Sequence, residues 1–167
     1  MSKYSLAELN QMNREEFVDA LGEVFEDTPA IAQKVWEQKP FTDVTQLHQK
    51  MVKIVADFSP DRQLKLIRAH PDLASKAKMA PASVNEQAGV GLDRLDLAEY
   101  DRFQLLNQAY KNKFGFPFIL AVKDRDKDSI LEEFERRLGN SLLAEKEQAL
   151  KEIFTIALFR LKAMIRE

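Results

Sequence analysis

Apolar residues recur at helical spacing from one end of the chain to the other. Phe17, Val18, Leu21, Val24 and Phe25 follow Asn13 at three- and four-residue steps, and Asn13 with the acidic residues after it has the form of an N-terminal cap. Thr28-Pro29 opens a second helix, with Pro29 in the first turn where its missing N–H is tolerated, and Lys39-Pro40 closes it. A third helix is predicted over about 43–58, with Val44, Leu47, Met51, Ile54, Val55 and Phe58 on one stripe. Ser59-Pro60 starts a fourth, which carries Leu64, Ile67 and Arg68 up to His70. Further on, a helix is predicted over about 96–113. Ser129 and Glu132 have the form of a cap on another that ends at Gly139, and the last runs from about residue 141 onward.

Two stretches break this pattern. Residues 71–92 hold two prolines and two glycines, few large apolar residues, and small polar ones such as Ser75, Ser83 and Asn85. They offer little to a core, and long loops in compact domains often carry function. Residues 114–122, reading Phe-Gly-Phe-Pro-Phe-Ile-Leu-Ala-Val, are almost wholly apolar. Pro117 bars a helix through the run and holds Phe116 extended, so the expectation is a short buried extended segment without a fixed sheet partner.

Composition narrows the class. The 167 residues are 45% apolar and 31% charged, with only five glycines and six prolines, which suits a single all-α, multi-helix domain spanning 1–167 and argues against disorder. No internal repeat, low-complexity tract or linker interrupts it. A net charge of −2 supplies no basic field for nucleic acid or anionic lipid. Zero cysteines exclude disulfides, thiolate catalysis and zinc–thiolate sites. The first residues lack an apolar signal segment, no apolar run is of membrane-spanning length, and the last three residues are not a peroxisomal address. A cytoplasmic protein is expected.

With two histidines and no cysteine, the stock of groups that move protons near neutral pH is small. His70 stands directly before Pro71 at the end of a helix. It reads either as a helix C-terminal histidine bonded to a free carbonyl or as an acid–base group. His48, beside Gln49 and Lys50, reads as a solvated residue. Ser83-x-x-Glu86 has the spacing of a capping box, which would use both side chains on backbone donors. A helix N-terminus is equally a place for an anionic ligand, and Gln87 adds an amide donor and acceptor. Arg160 falls inside the apolar arc of the last helix, between Ile153 and Ile156 and one turn from Met164. It reads as a snorkelling or ion-paired arginine, or as a guanidinium that grips a carboxylate or urea oxygen at two points. The 114–122 run is core on the simple reading, but irregular buried backbone needs hydrogen-bond partners that an amide-rich heterocycle can supply.

These pieces, in this order, resemble the OHCU decarboxylases, the 2-oxo-4-hydroxy-4-carboxy-5-ureidoimidazoline decarboxylases of urate degradation. The resemblance is carried by Leu66-Ile67-Arg68-Ala69-His70-Pro71-Asp72-Leu73-Ala74 and by Ser83-x-x-Glu86-Gln87 with Gly91-Leu92. Asn107-x-x-Tyr110-x-x-Lys113-Phe114-Gly115-Phe116-Pro117-Phe118-Ile119 and Ile156-Ala157-x-x-Arg160-Leu161 complete it. Leu9-Asn10, Phe25-Glu26 and Pro40-Phe41 also fit. Two places depart from the family pattern: Thr28-Pro29-Ala30 stands where Ser-Pro-Trp is usual, and Ala80 where a threonine commonly lies three residues before the serine motif. The resemblance implies an all-α homodimer without a cofactor, with His70 as proton donor. It places ligand contacts on Pro71, on Ser83, Val84, Asn85, Glu86 and Gln87, on the backbone around Phe118, Ile119, Leu120, Ala121 and Val122, and on Arg160. The implied reaction yields (S)-allantoin and CO2.

That chemistry fits the residues. Loss of CO2 leaves electron density that the adjacent ring unsaturation absorbs, so no metal or cofactor sink is needed. The protein has to bind a small carboxylated heterocycle, exclude water and deliver one proton to one face. A histidine titrates where this is useful, and Glu86, paired with it as the catalytic carboxylate, holds the hydroxyl or raises the histidine pKa. The competing class is a non-catalytic α-helical interaction module. It accounts for the amphipathic helices but not for a histidine, a Glu-Gln pair and an inward arginine. Metal hydrolysis and nucleotide binding lack their spacings, HExxH and a phosphate loop.

Overall fold

A computed structural model describes residues 3–75 and 81–167. Ala80 lies outside the described residues. The chain divides into two compact units, 1–69 with 154–167, and 70–153.

In the first unit, β1 (Tyr4–Ser5) leads into α1 (Leu6–Gln11), α2 (Arg14–Leu21), α3 (Ala30–Trp36), α4 (Val44–Ala56) and α5 (Pro60–Arg68). Asn13 and Glu16 form the reciprocal cap of α2, Asp43 caps α4, and Ser59 with Pro60 starts α5. The α4 stripe is buried as its spacing predicts. On α5 the inward residues are Leu66 and Ile67, whereas Leu64 is half-buried and Arg68 exposed, so the stripe sits to one side of the expected one. Pro29 lies just outside α3, as its N-cap. His48 is half-buried, and its Nε2 lies 2.8 Å from the carbonyl of Phe154, which replaces the solvated reading. The last regular element, β2 (Ile165–Arg166), pairs in parallel with β1, Tyr4 opposite Ile165. Two-residue strands carry no periodicity for a sequence to display.

The second unit holds α6 (Pro81–Gly89), α7 (Leu97–Phe114), α8 (Lys127–Leu138) and the first half of α9, which spans Leu142–Met164. Its core is aromatic. Tyr110 lies with ring centroids 4.5 Å from Phe114 and 5.4 Å from Phe118, and Phe118 stacks on Phe134 at 3.9 Å. Asp126 caps α8 by accepting from the Ser129 N–H at 2.7 Å, so Ser129 receives the cap rather than supplying it. Helix α7 includes Phe114 and ends at Gly115, whose φ of 78° is the left-handed conformation a helix-ending glycine supplies without a side-chain clash. The irregular apolar segment therefore begins after Gly115. From Phe116 to Val122 the residues are buried and outside any sheet.

Candidate active site

The stretch expected to be a loop contains α6, and that changes what its residues do. Ser83 is the third residue of the helix and Glu86 the sixth, so neither is placed as in a capping box, where the serine precedes the helix. At i, i+3 and i+4, Ser83, Glu86 and Gln87 share a face; Ser83 and Gln87 are buried and Glu86 is half-buried. Val84, at 49% exposure, and Asn85 point outward. Gly91, with φ 83°, closes the helix. The Leu92 N–H reaches back to the Gln87 carbonyl at 3.0 Å and the Gly91 N–H to that of Ala88 at 3.1 Å. Leu92, Leu73 and Ala74 are buried, so the 71–92 stretch adds to the core after all.

His70 is the first residue of the second unit, buried at 8% exposure, and Pro71 beside it is half-buried. Residues 71–75 lie outside any helix or strand and turn through Ala74 at φ 58°, a left-handed conformation costly for a residue with a Cβ. Side chains hold it there. Gln87 Oε1 accepts from the Ala74 N–H at 2.9 Å, and its Nε2 donates to the Asp72 carbonyl at 3.3 Å. Asn107 Nδ2 donates to the Leu73 carbonyl at 2.9 Å and Gln104 Nε2 to that of Ala74 at 3.1 Å. Lys111 pairs with the Asp72 carboxylate at 2.6 Å. The histidine motif and the Glu-Gln motif thus meet in one place, through Gln87.

Phe118, Ile119, Leu120, Ala121 and Val122 are all buried, and protein groups fill several of their backbone positions. Arg137 Nη1 donates to the Ile119 carbonyl at 2.6 Å, and the Ala121 N–H donates to Glu152 Oε1 at 2.9 Å. Arg137 is fully buried. It pairs through Nε with Glu145 at 2.9 Å and lies 4.4 Å over the Phe118 ring. Tyr110 donates to the same carboxylate, and Asn140 donates to its other oxygen at 2.9 Å. Burial and the adjacent Glu145 carboxylate push the Tyr110 phenol far above its ordinary range, so it stays protonated and remains a donor.

Sequence reasoning passed over this network, although its signal was present. Arg137 continues the Ile130–Phe134 stripe of α8, and Glu145 continues that of Ala149 and Ile153 on α9. This is the same inward placement that marked Arg160.

Arg160 belongs to the first unit and is buried at 6% exposure. Its Nη2 pairs with the buried Glu26 carboxylate at 3.2 Å, and its Nη1 lies 3.3 Å from the carbonyls of Glu23 and Val24. The ion-paired reading of this arginine is therefore realised. Among the described residues, no three His, Asp or Glu side chains are grouped so as to hold a metal ion.

The model of the OHCU decarboxylase family matches residues 10–162. A 2-oxo-4-hydroxy-4-carboxy-5-ureidoimidazoline decarboxylase of Halalkalicoccus jeotgali is 44% identical over 164 residues, covering 98% of this chain and 93% of that protein. A uric acid degradation bifunctional protein of Bacillus subtilis is 42% identical, covering 98% of this chain but 33% of its own length. A solved (S)-allantoin synthase superposes with a TM-score of 0.79 at 29% identity over 96% of this chain, which spans about half (54%) of that one. An OHCU decarboxylase solved in the presence of (S)-allantoin shares the fold, with a TM-score of 0.68 at 20% identity over 90% of this chain and 96% of that one. A family match through nearly the whole sequence, together with relatives of similar length above 40% identity, means that the chain belongs to the OHCU decarboxylase family.

Proposed function

We propose that this protein is a carboxy-lyase, acting as one functional domain over 1–167. It converts 2-oxo-4-hydroxy-4-carboxy-5-ureidoimidazoline to (S)-allantoin and CO2 without a cofactor, the last step from urate to allantoin. The observation that carries this reading is the joining of two motifs: buried His70 heads a segment that Gln87 of the Glu-Gln motif grips by its backbone. Family membership from residue 10 to 162 supports it.

The chemistry follows from the substrate. Heterolysis of the bond to the carboxylate sends its electron pair through the adjacent C=N onto the ring nitrogen, which takes up a proton, giving a neutral enol, and CO2 leaves. A proton is then added to the ring carbon that bears the ureido group, while the hydroxyl gives up its own and becomes the carbonyl. The balance is one carboxylate and one proton in, CO2 and allantoin out. His70 is the proposed proton donor and Glu86 the group that holds the hydroxyl or the imidazolium. Ser83, Gln87, Pro71 and the backbone of 118–122 are proposed to seat the ring and ureido group. Val84 and Asn85, facing outward, would act only through the helix that carries them. Arg160 is proposed as a further binding group; its Glu26 pair favours a second, purely structural reading of that residue.

A homodimer in the cytoplasm completes the proposal. Leu97, Leu105, Leu142 and Leu143 of the second unit are exposed, and no helix among the described residues is long and apolar enough to cross a membrane. The experiment is to follow the ultraviolet decay of the intermediate in freshly oxidised urate, with chelator and no added cofactor. Acceleration by the protein supports the proposal; unaltered decay at micromolar protein favours the interaction module.

A further inference from the structure

We infer that one face of α7, formed by Gln104, Asn107 and Lys111, is a positioning device for His70. The inference rests on the proposed catalytic role of His70. The three residues lie at i, i+3 and i+7 on the helix and reach three consecutive residues of the irregular segment after His70-Pro71. Lys111 takes the Asp72 carboxylate at 2.6 Å, Asn107 the Leu73 carbonyl at 2.9 Å, and Gln104 the Ala74 carbonyl at 3.1 Å. Gln87 holds the opposite polarity of the segment, accepting from the Ala74 N–H.

Two features mark this as more than routine satisfaction of buried backbone. The segment includes Ala74 at φ 58°, a strained conformation that persists only where surrounding contacts over-determine it. Asn107 itself stands in the apolar stripe of Phe103, Tyr110 and Phe114, and its Oδ1 is buried with no hydrogen-bond partner among the described residues. An unmatched buried acceptor costs stability, and an apolar residue at that position would avoid it. What Asn107 supplies in exchange is a directed donor to the backbone three residues beyond His70. The device fixes the path of the chain and, through it, where the imidazole sits. None of the α7 residues is assigned contact with substrate.

Because a near-attack geometry displaced by about 1 Å can cost on the order of 100-fold in rate, loosening the segment should lower kcat more than it raises KM. The test compares Asn107→Leu, Gln104→Glu and Gln104→Lys with the parent and with His70→Ala. Gln104→Glu keeps the shape but loses the donor, and Gln104→Lys restores a donor. With only two histidines, His70 and His48 can be followed separately by nuclear magnetic resonance. His48, bonded to the Phe154 carbonyl in the first unit, is the internal control. In Asn107→Leu and Gln104→Glu, kcat should fall about 10- to 100-fold with KM within about threefold, and the His70 imidazole signals should shift while those of His48 do not. Gln104→Lys should recover most of the rate. Folded variants with parental kcat and unmoved His70 signals, beside an inactive His70→Ala, would overturn the positioning role alone. An active His70→Ala would overturn the catalytic reading and this inference with it.

Discussion

Glu86 is the residue whose role the structure changes most. Within α6 its carboxylate is not a cap, so replacing it with Gln leaves the helix with a residue of nearly equal propensity. Glu86→Gln is expected to keep the melting temperature and lose most of the decarboxylase activity. Full activity in that variant would remove the catalytic claim. Arg160 is the opposite case, because its placement in an apolar arc was legible and its partner was not. Glu26 lies 134 residues away, a distance no helical pattern can bridge. Lysine has one compact ammonium and cannot reproduce the fork that meets Glu26 and two carbonyls. Arg160→Lys is therefore expected to lower the melting temperature, and calorimetric titration with allantoin decides the rest. Weaker affinity than the parent supports a binding role, whereas equal affinity leaves Arg160 a structural ion-pair partner only.

At the scale of elements, the buried polar network joining α7, α8 and α9 is the feature most open to test. Arg137 and Glu145 are both fully buried, and removing one partner strands a charge in a low-dielectric site. Arg137→Met should destabilise the protein by about 3–5 kcal/mol in urea unfolding. The same network governs Tyr110. Its folded-state pKa is raised above the ordinary value of 10.0, so this contribution to stability is complete below that pH and is lost as pH rises beyond it. The difference in tyrosinate absorbance between the parent and Tyr110→Phe should stay near zero until the alkaline unfolding transition; a signal in the folded protein would contradict the burial argument. Helix starts set by proline, serine and asparagine were legible within a residue or two, whereas α3 ends at Trp36, three residues short of the Lys39-Pro40 stop. The α6 helix was not, because its few large apolar residues leave no stripe and its buried positions include the polar Ser83 and Gln87, of which Gln87 holds the 72–74 backbone.

For the whole molecule, the sequence pattern is sufficient for an all-α class because helical periodicity is local. The division into two units and the parallel pairing of Tyr4–Ser5 with Ile165–Arg166 depend on contacts far apart in the chain and leave no local trace. The candidate site lies between these cases. His70, Glu86 and Gln87 stand out by their chemistry, while Gln104 and Lys111 looked like ordinary helix surface, and Asn107, inside an apolar stripe, showed no partner until the segment it holds was in view. Proton delivery by His70 to one face of the intermediate is the step on which the proposed function depends. The direct measurement is circular dichroism of allantoin formed from freshly oxidised urate, with the parent protein and with folded His70→Ala at equal concentration. The parent should give a strong (S)-allantoin signal ahead of the racemic background, and His70→Ala should give none above it. A parental signal from the folded variant would contradict the account.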